Sequence, residues 1–234
     1  VQTCALPIFT DEQVVHIRSA LRLVPNDLVI AFNGYGDTFE TNIQEINKKN
    51  VTLKIAQKIE TYKSDIEIVL VQSIPKAKKL DDIIDELTQI GITRIIPLET
   101  RYSLLKAKDI NKRLDRLRTI SIEAQKQSGR DFIMEIDSAS DNLDILNEFK
   151  DFDLKLIATT KEKNNNLKRL IETTPNAKKI VYFIGPEGDF SNEEITLAEQ
   201  IGFKRVSFGS NVLRTESAAV YLGSILNFYY NNNE

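Results

Sequence analysis

Residues 181–221 constrain the fold more than any other stretch, because they repeat one design twice: an apolar strand, a glycine-bearing loop and a helix. Residues 181–184 form a short continuous apolar run, the pattern of a strand buried on both faces of a parallel sheet. The chain then breaks at Gly185-Pro186-Glu187-Gly188-Asp189. A helix is predicted from Ser191, with Ser191 as its cap, Glu194 completing a capping box and Phe190 placed to staple onto Ile195. The second unit predicts a strand over 206–208, a loop over 209–214 and Thr215 as cap of the last helix. That helix carries an apolar stripe through Ala218, Leu222, Ile225, Leu226 and Tyr229. Two glycine loops at the carboxyl ends of strands have the form of a ligand crevice in an open α/β sheet. Glycines that merely permit tight strand-to-helix turns are the competing reading.

Upstream, residues 9–62 read as a small β-rich unit. Helical spacing over 11–23 is followed by strands at Leu28–Phe32, Thr38–Ile46 and Val51–Ile59, with Asn33-Gly34 marking a tight hairpin. From Ile66 the pattern changes to strand–helix alternation. Strands are predicted over 66–71, 93–98, 132–136 and 154–159. Helices are predicted over Ala77–Ile90 (ended by Gly91), 109–127, 142–149 and 165–172. Such alternation implies a mainly parallel sheet with helices on both faces, so the fold class is α/β, with a small N-terminal β-rich unit. The unit boundary is placed between residues 63 and 64 on the change of pattern alone.

Charge singles out one segment. Residues 101–130 hold nine cations and three acids, +6 in a chain of net charge −3, so the remainder sums to −9. A solvated helix face mixes signs, whereas this imbalance favours a phosphate-binding surface around Lys112, Arg113 and Arg116. No apolar run approaches the ~20 residues of a membrane span. The single cysteine excludes an internal disulfide framework and suits a reducing, cytoplasmic setting. The first eight residues, V-Q-T-C-A-L-P-I, lack a Met and resemble a translated sequencing adapter, so they are expected to be a non-native leader. His16, the only histidine, is expected to pack rather than catalyse.

G-P-E-G-D-F-S followed by F-G-S-N-V-L-R-T-E-S-A closely resembles the C-terminal signature of the 16S ribosomal RNA uracil N3-methyltransferases. These are SPOUT (α/β-knot) enzymes with an N-terminal PUA-like domain. Their usual wording is G-P-E-G-G-F-S and L-G-x-x-I-L-R-x-E-T-A. H-I-R-S-A-L-R-L-V-P-N-D resembles the family's PUA-like barrel, with Asn26 where its pattern has Gly. E-A-Q-K-Q-S-G-R resembles its E-A-x-E-Q-S-x-R, and Arg101 stands at its E-R-S loop. Met134, Glu86 and Gln89 depart from its usual scaffold residues. Asp189 replaces the second Gly of G-G and sets an extra carboxylate beside the cofactor loop. The resemblance covers about residues 9–234. It implies a PUA-like RNA-binding barrel over 9–63 and a knotted SPOUT domain over 64–234. It also implies a homodimer, and 16S ribosomal RNA or the 30S subunit as partner.

The same resemblance implies methyl transfer from S-adenosyl-L-methionine to N3 of one uridine. Methyl transfer is largely a matter of in-line positioning. It needs no metal, and no Cys/His cluster exists to bind one. The anion left by deprotonated N3 suits arginine. Catalytic candidates are Arg101, Arg130, Arg214 and Glu216, the last as base or ligand anchor, although an acid in a first helical turn also meets the helix dipole. Arg130, just past a helix end, is expected to reach a base carbonyl. Candidates for holding the cofactor are Thr159, Ile184, Gly185, Pro186, Glu187, Gly188, Phe208, Gly209, Asn211, Val212 and Leu213. Arg18, Arg22, Gln127 and Ser128 join the three cations above as RNA contacts. A related SPOUT ribose 2′-O-methyltransferase and a non-catalytic RNA-binding homologue remain open alternatives, whereas P-loop and Rossmann glycine patterns are absent.

Overall fold

A computed structural model describes residues 14–48, 50–164 and 167–231. The described residues fall into two compact units that divide between Lys63 and Ser64. The N-terminal leader lies outside the described residues.

In the first unit, β1 (Leu28–Phe32), β2 (Thr38–Ile46) and β3 (Val51–Ile59) form an antiparallel sheet of order β1-β2-β3. Register shifts near Glu40 and Ile43 bend the middle strand. Among the described residues, the helical segment before β1 spans residues 14–20, of which His16–Ala20 is π-helical. Asn26 adopts φ +79°, the left-handed conformation that a glycine takes freely and that Asn tolerates better than most residues. The residue standing in place of the family's Gly thus keeps the backbone a Gly would give.

The second unit is a six-stranded parallel sheet of order β6-β5-β4-β8-β7-β9. Its strands are β4 (Glu67–Ser73), β5 (Arg94–Leu98), β6 (Glu135–Ile136), β7 (Leu154–Ala158), β8 (Lys179–Ile184) and β9 (Lys204–Val206). Its helices are α1 (Ala77–Ile90), α2 (Ala107–Asn111), α3 (Leu114–Ser128), α4 (Leu167–Glu172), α5 (Asn192–Gln200) and α6 (Thr215–Asn231), with a 3-10 turn at Leu143–Phe149. Alternation along the central strands builds two cores. Ile68, Leu70, Ile180, Tyr182 and Ile184 join one cluster with residues of α1, α3 and α6. Val69, Val71, Val181 and Phe183 join the other with Phe190, Ile195 and Phe203. Each such side chain, removed from water, contributes about 1.5–3 kcal/mol, and the polar residues of these two strands (Glu67, Gln72, Ser73 and Lys179) lie at their ends.

Several boundaries differ from expectation for local reasons. The helix expected over 109–127 is two helices, because the chain breaks at Lys112 and Arg113 between α2 and α3. The strand expected over 206–208 ends at Val206, leaving Ser207 and Phe208 in the loop. The strand expected over 132–136 shrinks to a two-residue edge strand. Ser191 caps α5 in a full capping box with Glu194. Thr215 does not cap: it is the first residue of α6, and its hydroxyl donates to Gly185 O at 2.6 Å and accepts from Gln72 Nε2 at 3.1 Å. One side chain thereby joins the second loop to the first.

Candidate functional site

β7, β8 and β9 are neighbours whose carboxyl ends share one edge of the sheet, so the loops that leave them converge. Between them lies a crevice of about 780 Å3, within the range of small-molecule sites. Thr159, residues 184–188, Phe208, Gly209 and residues 211–213 all line it. Ile184, Val206, Phe208, Leu213 and Ala218 give it apolar surface, suited to a flat ring. The Phe208 ring is held edge-on by Tyr221 of α6, centroids 5.4 Å apart.

Two glycines are required there for different reasons. Gly209 has φ +91°, which side chains rarely adopt. A Cβ at Gly188 would sit 2.9 Å from Cβ of Tyr102, so this loop passes directly under residue 102. Ser207 Oγ, lining the crevice and 7 % exposed, has no hydrogen-bond partner among the described residues. A buried orphan hydroxyl calls for a polar ligand. Apolar surface, open loop backbone and an unpaired hydroxyl fit an adenosyl group.

Asp189 occupies φ +60°. Its Oδ2 accepts from Thr159 Oγ1 at 2.9 Å, Thr160 N at 3.0 Å and Thr160 Oγ1 at 2.6 Å, and its Oδ1 accepts from Phe190 N at 2.8 Å. The extra carboxylate is therefore turned into the protein, where it joins the β8 loop to the β7 loop. Lys161 reinforces the seam by donating to Phe190 O at 2.6 Å and Asn192 Oδ1 at 2.9 Å.

Lys79, in the first turn of α1, lines the crevice and was not singled out from the sequence. Its ammonium lies 3.0 Å from Glu187 and 2.9 Å from Glu216, tying the two glycine loops together. Its position just past the end of β4, where α/β crevices form, was the signal that could have found it. Burial alone would raise the Glu216 pKa. The hydrogen bond from Lys79, a backbone amide and the charges of Lys79 and Arg214 outweigh it and hold this carboxyl below its ordinary range. The Glu216 partnership likewise raises the Lys79 pKa, against a smaller effect of burial. A carboxylate held ionised in this way is a weak proton acceptor.

The four catalytic candidates are not all brought together. Arg214 is exposed on the crevice wall, and its guanidinium has no ion-pair partner among the described residues. Glu216 sits beside it in α6. Arg101 is exposed in the neighbouring loop, where its backbone N–H donates to Glu194 Oε1 at 2.7 Å, and Tyr102 covers Gly188.

Arg130 lies elsewhere. Its Nη1 donates to Thr88 O and to Ile92 O, which closes the end of α1, and burial lowers its pKa without discharging it. Nη1 is thereby committed to backbone carbonyls within the chain, and the reading that Arg130 reaches a base is kept as a proposal for its other donors. Arg130→Met is expected to lower stability by about 1–3 kcal/mol by leaving those carbonyls unpaired. Urea unfolding measures it, and an unchanged midpoint would return Arg130 to the surface.

The basic segment is also partly satisfied internally. Arg113 and Arg116 both reach Asp81, at 3.0 and 2.8 Å, and Lys112 pairs with Asp109 at 3.1 Å. Gln127 is exposed in the last turn of α3, while the Ser128 hydroxyl donates back to Ala124 O. Arg18 and Arg22 are exposed in the first unit, Arg22 at φ +52°.

Comparison with known proteins places these features in context. A family described as an RNA methyltransferase domain matches residues 62–227, and one described as an RNA methyltransferase PUA domain matches residues 9–56. A relative from Rickettsia conorii, Ribosomal RNA small subunit methyltransferase E, is 34% identical over 92% of this chain and 86% of its own length. One of the same name from Aquifex aeolicus is 29% identical over 94% of this chain and 93% of its own. A crystal structure of a Ribosomal RNA small subunit methyltransferase E from Neisseria gonorrhoeae, bound to S-adenosyl methionine, superposes with TM-score 0.85 at 25% identity. It covers 98% of this chain and 96% of its own. A Legionella pneumophila structure in complex with the bound cofactor SAM has TM-score 0.81 and 30% identity, covering 93% and 89%.

Proposed function

This chain belongs to the RNA methyltransferase family, methylating small-subunit ribosomal RNA with S-adenosylmethionine, and on that premise we propose that its acceptor is N3 of one uridine. The observation that carries the reading is the crevice at the carboxyl ends of β7, β8 and β9, with a free guanidinium, Arg214, on its wall. When bound, the cofactor supplies an electrophilic methyl group on a sulfonium. The loop backbone of residues 185–188 and 208–213 holds and orients it, and Ser207 Oγ gains the partner it lacks. Loss of the N3 proton to solvent water leaves charge on the two flanking uracil oxygens. Arg214 meets that charge with a fork of donors, and Arg101, from the loop over Gly188, is placed to orient the base. Glu216 is assigned to holding Lys79, and through it Glu187, rather than to taking the proton.

Mass spectrometry of nucleosides from ribosomal RNA treated with the protein and labelled cofactor tests the reading. N3-methyluridine is expected, and a ribose 2′-O-methyl nucleoside would overturn the assignment of the acceptor.

RNA is proposed to approach over the first unit and the α2–α3 segment. Of the three cations singled out there, Lys112 and Arg116 are exposed, whereas Arg113 is half-buried against Asp81. Replacing Lys112 and Arg116 by alanine is expected to weaken RNA binding and reduce the log–log salt slope by up to about two units, with cofactor affinity unmoved. Filter binding across a salt series reads this, and an unaltered slope counts against the surface.

A homodimer is also part of the proposal, supported by Val212, Tyr221 and Phe228, apolar and exposed on the last loop and helix. Light scattering measures it. A threaded C-terminus is supported by the topology: β9 lies at the sheet edge, yet the helix that follows packs on α1 and β4 at the centre. A ribosomal RNA substrate puts this work in the cytoplasm.

A further inference from the structure

Residue 189 carries a side chain where the backbone favours none. At φ +60° a glycine would be unstrained, and aspartate is held there only because its surroundings fix it. Those surroundings are specific. Of four hydrogen bonds to the carboxylate, three come from Thr159 and Thr160 at the end of β7, and one from the adjacent amide. Thr159, Thr160 and Asp189 all line the crevice, so the carboxylate is part of the wall that it braces. Lys161 crosses the same seam in the opposite direction and donates to Phe190 O. With all four contacts made inside the protein, little of the carboxylate's accepting capacity is left for a ligand.

We propose that Asp189 is a positioning residue for S-adenosylmethionine, locking the Thr159–Thr160 wall to the β8 loop so that the crevice is formed before the cofactor arrives. The proposal rests on the reading of this crevice as the cofactor site. Its physical basis is preorganisation. A wall already ordered in the free protein spares binding the entropy of ordering it, and hydrogen bonds to an ionised acceptor hold better than neutral ones. The seam also joins the loops of two adjacent strands, β7 and β8, so that Thr159 keeps its place in the crevice wall.

The test uses Asp189→Gly and Asp189→Asn in the full chain. Asp189→Gly deletes the carboxylate and supplies the residue that φ +60° prefers, so a loss of binding cannot come from backbone strain. Asp189→Asn tolerates the conformation and keeps one accepting oxygen, and should fall between. Calorimetry with S-adenosylmethionine is expected to show about a tenfold loss of affinity for Asp189→Gly, the equivalent of one charge-assisted hydrogen bond. The KM for cofactor should rise in step, with kcat at saturating cofactor falling far less. Hydrogen exchange in the ligand-free protein supplies a readout independent of turnover: the Thr160 amide should exchange about tenfold faster in Asp189→Gly. Affinity within about twofold of wild type in that variant overturns the proposal alone. A wild-type protein with a protected Thr160 amide but no cofactor binding overturns the reading of the crevice, and the proposal with it.

Discussion

Gly209→Val is expected to remove measurable S-adenosylmethionine binding, a loss of at least about a hundredfold. The backbone of residue 209 sits at φ +91°, which a β-branched residue cannot share with its native loop path. The loop must then move, and Phe208, Asn211, Val212 and Leu213 on the crevice wall move with it. A branched side chain at this point also occupies space where backbone approaches the ligand. Calorimetry at 25 °C on protein shown to be folded by circular dichroism is the measurement. A folded variant that binds as wild type does would remove the 207–214 loop from the cofactor site.

Arg214→Lys is expected to lower the single-turnover methylation rate, at saturating RNA and cofactor, by about 10²–10³. Lysine keeps the charge and loses the planar fork, so the substitution separates two roles. A phosphate contact would survive it. Stabilisation of charge spread over a uracil ring would not, because two donors in fixed geometry are replaced by one mobile ammonium. Cofactor affinity should stay within about threefold, since the loop backbone and not this guanidinium is proposed to hold the cofactor. A rate within about threefold of wild type would move Arg214 to the RNA-docking surface.

Much of the fold was legible because local rules were obeyed. The bounds of β1, β2 and β3, the span of α1 with Gly91 at its end, and the Ser191–Glu194 capping box follow from alternation, helical period and cap chemistry within a few residues. The break between α2 and α3 was not legible, because Lys112 and Arg113 are good helix formers and only tertiary packing parts them there. The glycine loops were legible as a crevice, since their residues are contiguous. Partnerships across the chain were not. Lys79 with Glu187 and Glu216, Arg130 with the end of α1, and Asp189 with Thr160 span 29 to 137 residues of sequence, and no spacing rule reaches so far. Arg130 is an example: a residue just past the end of one helix also donates to the carbonyls at the end of another.

The sheet's strand order bears on how the molecule is made. β4 is flanked by β5, which follows it closely, and by β8, which is synthesised about a hundred residues later, and α6 covers the centre only after that. At about 5–20 residues per second, a growing chain exposes one edge and one apolar face of β4 to the cell for on the order of ten seconds. Throughout that interval Ile68 and Leu70 lack the residues of α6 that finally share their cluster. The crevice, which needs the start of α6 as well as the ends of β7, β8 and β9, is complete only after residue 218 has been made.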